Sequence, residues 1–273
     1  MTHHDIHLKE RFPFLGEEDR DPVLSLYLPY NATPTETKRP AIMVCPGGGY
    51  GFVSSREAEP IALQFLTEGY YVFVLTYSCA PHRFPVQLRE VAAAMELIYE
   101  NAEQWNVDTD RIAIIGFSAG GHLAAHYSNS FDCEEVRSVF PDSKPVQASI
   151  LCYPVITAQE GQCHRGSFNN LVGHFPLTAE EDKKFSCHNL VTDHTPPAFV
   201  WHTAEDNSVP VISSLLYAQA MSEHKRPFAL HVYPYGCHGL STADEQTNAP
   251  LSPSVQLVAD WLPAAKKWLK ITL

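Results

Sequence analysis

Short apolar runs alternate with stretches of helical period along almost the whole chain. Residues 23–28 alternate apolar and polar positions, as a half-exposed strand does. Residues 41–45, 70–77, 112–115 and 148–153 are near-continuous apolar runs of strand length, and 198–202 and 228–233 read as further strands. Between them, residues 57–68 place Ile61, Ala62, Phe65 and Leu66 on one face and stop at Gly69, a helix-terminating signal. Residues 86–104 repeat Leu88, Val91, Met95, Ile98 and Ala102 at helical spacing. Helical stretches also follow residue 118 and begin near Pro210, the latter with Ile212, Leu215, Leu216 and Ala220. The last helical region, 253–270, is interrupted or restarted at Pro263. This alternation predicts an α/β fold with a mostly parallel sheet and helices on both faces. Residues 1–21 are polar and aperiodic and are expected to form an arm, leaving 22–273 as a single domain. Residues 30–40 read as a turn-rich connection. Residues 156–195 break the rhythm, being polar with Gly161, Gly166 and Gly173, and are expected to form a small insertion over the C-terminal edge of the sheet.

Composition narrows the function classes. At 273 residues the chain can bury an ample core. Its formal charge of −12, with no basic stretch, argues against nucleic acid as a partner. No run of eighteen apolar residues is present to span a membrane. The N-terminus lacks the basic-then-apolar pattern of a signal peptide, so a cytoplasmic location is expected. Seven cysteines without a C-x-x-C pair, with Cys45 and Cys152 in strand-like runs, read as reduced core thiols. His3, His4 and His7 read as solvated rather than metal-binding, and no metal or organic cofactor is expected. A homodimer is one assembly open to the chain.

The chemistry concentrates at residues 112–122. A buried strand runs into Gly116-Phe117-Ser118-Ala119-Gly120, a G-x-S-x-G match, and an Ala-rich helix follows. That strand–turn–helix context lifts the serine above the sheet edge, with small neighbours letting strand and helix pack closely behind it. A second signal is Pro46-Gly47-Gly48-Gly49-Tyr50-Gly51, directly after the strand 41–45. It lacks the G-K-[S/T] of a phosphate loop and the G-x-G-x-x-G of a dinucleotide loop. An oxyanion hole, which needs unobstructed backbone N–H donors, suits it better. A serine nucleophile needs a base and the base an orienting acid, both on later loops at the same sheet edge. His224 and His231 fall on a helix and a strand, whereas His238 lies in a loop after a strand. Glu205 and Asp206 both follow the strand 198–202, while Asp182 and Asp193 fall in the insertion. Asp206 could instead cap the helix near Pro210, and His238 could be an ordinary loop histidine. His122 and His126, four apart on the elbow helix, read as packing or hydrogen-bonding groups.

With these motifs the sequence, from about residue 21 onward, resembles α/β-hydrolase esterases of the carbohydrate acetyl-esterase type, described as acetyl xylan or feruloyl esterase-like. The likeness rests on the glycine loop at 46–50, the elbow at 116–121, His202-Thr-Ala-Glu-Asp206 with Val209-Pro210, and Gly236-Cys-His-Gly239. His164-Arg-Gly-Ser167 and residues 190–197 share it. The resemblance implies a Ser118–Asp206–His238 triad, choosing Asp206 over Glu205, and oxyanion donors from Ala119 and from Gly48 or Gly49. Related enzymes begin the glycine loop with His where this chain has Pro46, which keeps the donors but removes that histidine's anchoring bond. The expected activity is hydrolysis of short acyl, chiefly acetyl, esters of sugars or xylo-oligosaccharides through an acyl-enzyme. Tyr50, Phe117, Tyr235 and the 156–195 insertion are expected to line the substrate pocket, Tyr50 narrowing its acyl side. A serine aminopeptidase of the prolyl-oligopeptidase type shares triad and fold and is the alternative. A non-catalytic binding protein on the same scaffold would be marked by a missing triad member.

Overall fold

The computed structural model describes residues 2–29 and 37–273, so the expected connection at 30–40 lies outside the described residues except at its end. Eight strands make one sheet among them: β1 (Thr2–His7), β2 (Val23–Leu28), β3 (Arg39–Cys45), β4 (Tyr71–Thr76), β5 (Val107–Phe117), β6 (Ala148–Cys152), β7 (Ala198–Thr203) and β8 (Phe228–Tyr233). Their spatial order is β1-β2-β4-β3-β5-β6-β7-β8. β2 runs antiparallel to both its neighbours, and every pair from β4 through β8 is parallel. This is the α/β-hydrolase fold.

The central strands are buried on both faces, and their apolar runs show why. Along β3, Ala41, Met43 and Cys45 enter one core cluster, while Ile42 and Val44 enter the other. Helix α1 (Glu59–Leu66) and helix α7 (Trp261–Thr272) cover the second face, through residues such as Phe65, Trp261 and Leu269. The first face is covered by α2 (Val86–Glu100), α3 (Ala119–Ser130) and α6 (Ile212–Glu223). The expected helix 86–104 breaks at Asn101 into α2 and a single turn. Pro263 sits in the first turn of α7, where a missing N–H costs nothing.

Two regions differ from the sequence reading. The segment expected to be an arm is instead built into the domain. Residues Thr2–His7 pair in register with β2, and Leu8, Phe12 and Leu15 then turn into the core. An edge strand gains its stability from backbone bonds and carries polar side chains on both faces, so no hydrophobic period betrays it. The insertion holds α4 (Arg165–Val172) and α5 (Ala179–Phe185). The start of α5 did have a local signal: Thr178 and Glu181 form a reciprocal capping box.

Candidate active site

The site is assembled at the C-terminal ends of β3, β5, β6, β7 and β8. Ser118 lies between β5 and α3 at φ 53°, ψ −118°, a left-handed backbone that costs a non-glycine residue about 1–3 kcal/mol. Hydrogen bonds from β6 and its extension hold it there: Ser118 N–H donates to Cys152 O at 3.0 Å, and Val155 N–H donates to Ser118 O at 3.0 Å. The flanking glycines are required by close approach. A Cβ on Gly116 would sit 2.2 Å from Gly120 O, and one on Gly120 would sit 2.1 Å from Cys45 O. The turn therefore seats the serine directly beside the glycine loop that follows β3.

Ser118 Oγ lies 2.8 Å from His238 Nε2, and His238 Nδ1 lies 2.6 Å from Asp206 Oδ2. The structure thus brings together the three residues expected from widely separated loops. Asp206 also performs the capping role weighed against it: its Oδ1 accepts the N–H groups of Ser208 and Val209, both at 2.9 Å. Burial alone would raise its pKa, but hydrogen bonds from His202 and His238 outweigh that and hold the carboxyl well below the usual range. His202, fully buried, presents Nε2 to Val209 O at 2.9 Å and to Asp206 Oδ2 at 3.3 Å. Glu205 points elsewhere, accepting from Gly236 N–H at 3.2 Å.

The glycine loop offers free backbone donors. Gly48 and Gly49 have φ of 128° and 64°, and their N–H groups meet no acceptor among the described residues. Ala119 opens α3, so its N–H has no partner within the helix. Gly47 N–H is already taken, donating to Glu57 Oε2 at 2.8 Å.

Tyr50 and Phe117 are corrections to the expected pocket. They are 1% and 0% exposed, and neither lines the cavity. Tyr50, at φ 58°, turns its ring under the loop and donates its hydroxyl to His122 Nδ1 at 2.8 Å. His122 Nε2 in turn donates to Phe185 O at 2.8 Å. Burial pushes His122 down to about 4, so the ring is neutral and joins loop, elbow helix and insertion. Phe117 points into the core on the opposite face, against Tyr153 and Trp261. Phe117 ends β5 and points where strand alternation sends it, while the positive φ of Tyr50 in the turn directs its ring inward.

The cavity is shaped by the expected Ser118, His238, Gly48 and Gly49 and by residues of the expected insertion, while Phe52, Arg56 and Glu57 were missed. It measures about 400 Å³ and is lined by Gly48, Gly49, Phe52, Arg56, Glu57, His164, Asn170, Ser118 and His238, among others. Asn170 Nδ2 donates to Gly49 O at 2.9 Å, and Arg56 donates to Gly239 O at 3.0 Å, each steadying one catalytic loop. Glu57 is buried, and its Oε1 accepts from the Tyr153 hydroxyl at 2.5 Å. Tyr153 Oη itself accepts from Ser241 N–H at 3.0 Å. Burial, and then the charge of Glu57, pushes the Tyr153 phenol well up, so it stays a donor. The chain Ser241–Tyr153–Glu57–Gly47 therefore ties the histidine loop to the glycine loop. Glu57→Gln leaves a buried donor facing an amide nitrogen and should cost about 1–3 kcal/mol of stability, read from the denaturant midpoint. An unchanged midpoint would show the carboxylate is not needed there. Tyr153 had a readable signal, since it ends a strand adjacent to the elbow strand; a buried carboxylate such as Glu57 leaves none.

The BD-FAE family profile matches residues 24–221. The chain is 38% identical over 221 residues to endo-1,4-beta-xylanase B of Butyrivibrio fibrisolvens, covering 77% of this chain and 34% of that protein. It is 32% identical over 206 residues to the acetylxylan esterase of Xylanibacter ruminicola, covering 73% of this chain and 40% of that protein. The chain thus spans less than half the length of these curated relatives. Among solved structures it is similar to the acetyl ester-xyloside bifunctional hydrolase of Caldicellulosiruptor lactoaceticus. That match has a TM-score of 0.85 and 35% identity, and covers 98% of this chain and 96% of the other.

Proposed function

The chain belongs to the BD-FAE family of α/β-hydrolase carbohydrate esterases, and from that premise we propose that it is a serine carboxylesterase removing short acyl groups, chiefly acetyl, from sugars or xylo-oligosaccharides. The observation that carries the reading is the unbroken hydrogen-bonded row from Ser118 through His238 to Asp206, opening on a cavity. Ser118 Oγ attacks the ester carbonyl as its proton passes to His238 Nε2. Asp206 accepts from His238 Nδ1–H and stabilises the imidazolium that forms. The N–H groups of Ala119 and of Gly48 or Gly49 meet the developing oxyanion, at about 3–4 kcal/mol per donor. His238 then returns the proton to the departing alcohol oxygen as its bond to the carbonyl carbon breaks. Water, deprotonated by His238, attacks the acyl-enzyme, and His238 returns that proton to Ser118 Oγ as the acyl bond breaks and the acid leaves.

Support for the substrate class comes from two sides. The relatives include proteins named acetylxylan esterase and acetyl ester-xyloside hydrolase. The cavity lining holds five glycines and several polar side chains, with Phe52 as its one large apolar side chain. Across p-nitrophenyl acetate, butyrate, octanoate and palmitate, kcat/KM should be highest at the short end. A lipase would instead gain about 0.8 kcal/mol per buried CH₂. A rise toward octanoate, or cleavage of aminoacyl-nitroanilides in preference to acetates, would overturn the reading. A cytoplasmic location belongs to the same proposal, since all seven cysteines are free thiols and three are buried. Among the described residues no helix is long and apolar enough to cross a membrane.

A further inference from the structure

One side chain at the cavity wall is arranged as a donor with nothing to donate to. His164 caps the N-terminus of α4, and its Nδ1 accepts the N–H of Ser167 at 3.2 Å and faces the Ser167 hydroxyl at 2.8 Å. A ring nitrogen that accepts a backbone N–H carries no proton of its own, so the neutral ring holds its proton on Nε2. Burial, and then neighbouring His238, holds His164 below the ordinary imidazole value, which keeps the ring neutral. Nε2–H meets no acceptor among the described residues, and His164 lines the same cavity as Ser118 and His238. The ring fits between two glycines. Its Cε1 would lie 3.7 Å from a Cβ on Gly49 and 3.2 Å from a Cβ on Gly166, so a side chain at Gly166 would crowd it. Asn170 and Arg56, also at the wall, already donate to Gly49 O and Gly239 O.

We infer that His164 is a substrate-binding residue whose Nε2–H donates to a hydroxyl or ring oxygen in the alcohol part of the ester, selecting polyhydroxy alcohols over apolar ones. An acetyl group has no oxygen beyond its carbonyl, which the oxyanion donors occupy, so a second hydrogen-bonded oxygen belongs to the alcohol. The cavity of about 400 Å³ is also far larger than an acetyl group and leaves room for a sugar. The inference rests on the esterase reading above.

His164→Asn tests it, because asparagine is a strong N-cap that keeps an acceptor for Ser167 N–H while withdrawing the donor from the cavity. Against acetylated methyl β-xyloside, kcat/KM should fall roughly tenfold, mainly through KM, as expected for one hydrogen bond to a neutral substrate. Against phenyl acetate, which has no hydroxyl to bind, it should stay within about twofold, with Tm unchanged. Equal losses on both esters, or no loss on either, overturn the inference. Wild-type protein that hydrolyses neither ester defeats the esterase reading instead. NMR of ¹⁵N-histidine-labelled Ser118→Ala protein then decides the inference without turnover. The His164 Nε2–H signal should move on titration with methyl β-xyloside, and a signal that stays put overturns it.

Discussion

Ser118→Ala should lower ester turnover by about 10⁴–10⁶-fold while leaving the protein folded. The size follows from what is removed. In the proposed mechanism the hydroxyl forms the acyl bond, and its partner among the described side chains is His238 Nε2 at 2.8 Å. What survives is the oxyanion pair and the cavity, which can still bind the ester and polarise its carbonyl, so a small rate above water remains. Stability should change little, because the backbone bonds that hold the elbow, Ser118 N–H to Cys152 O and Val155 N–H to Ser118 O, do not involve the hydroxyl. Alanine also tolerates φ 53° no worse than serine does. The check is kcat on p-nitrophenyl acetate together with fluorophosphonate labelling, which should vanish in the variant. Turnover near wild type in a pure, folded preparation would remove Ser118 from the reaction.

The central strands were legible because they are buried on both faces, and burial writes a continuous apolar run into the sequence. Ser118 and the glycine loop were legible because sharp turns and close backbone approach demand small residues at fixed spacing. Asp206 and His238 were narrowed by topology, since both follow strands and so reach the same edge. The limits are equally physical. Tyr50 and Phe117 stand next to the proposed oxyanion loop and nucleophile in sequence, yet local backbone direction sends both rings into the core. Glu57, Tyr153 and His164 act through contacts with residues 10, 88 and 3 positions away respectively. Only the last of these separations falls within a helical turn, and a histidine N-cap is not one of the favoured capping types. Polar residues recruited across loops leave no period, so they become visible only when the loops are set side by side. The edge strand β1 was hidden for the related reason that its stability lies in the backbone.

Asp206→Asn should lower kcat/KM by about 10³–10⁴-fold, whereas Glu205→Gln should change it by little more than the loss of one hydrogen bond to Gly236 N–H. The geometry fixes which way the new amide must lie. Two backbone donors, Ser208 N–H and Val209 N–H, point at Oδ1, so the amide keeps its oxygen there and turns its nitrogen toward His238 and His202. A donor then faces His238 Nδ1, which must accept, and the ring proton moves to Nε2. In that tautomer Nε2 can no longer take the proton of Ser118, so the nucleophile has lost its base even though every atom is in place. The amide also cannot stabilise the imidazolium. Stability carries an independent signature. The Asp206 carboxyl is held below its unfolded value, so the stabilisation it provides is fully present above about pH 4 and is lost as pH falls through its lower folded value. The difference in unfolding free energy between wild type and Asp206→Asn should therefore be largest near neutrality and shrink as the solution is acidified below pH ~4. A larger turnover loss in Glu205→Gln than in Asp206→Asn would transfer the orienting role to Glu205. A stability gap that widens on acidification would mean that the carboxylate is strained rather than favoured by its four donors.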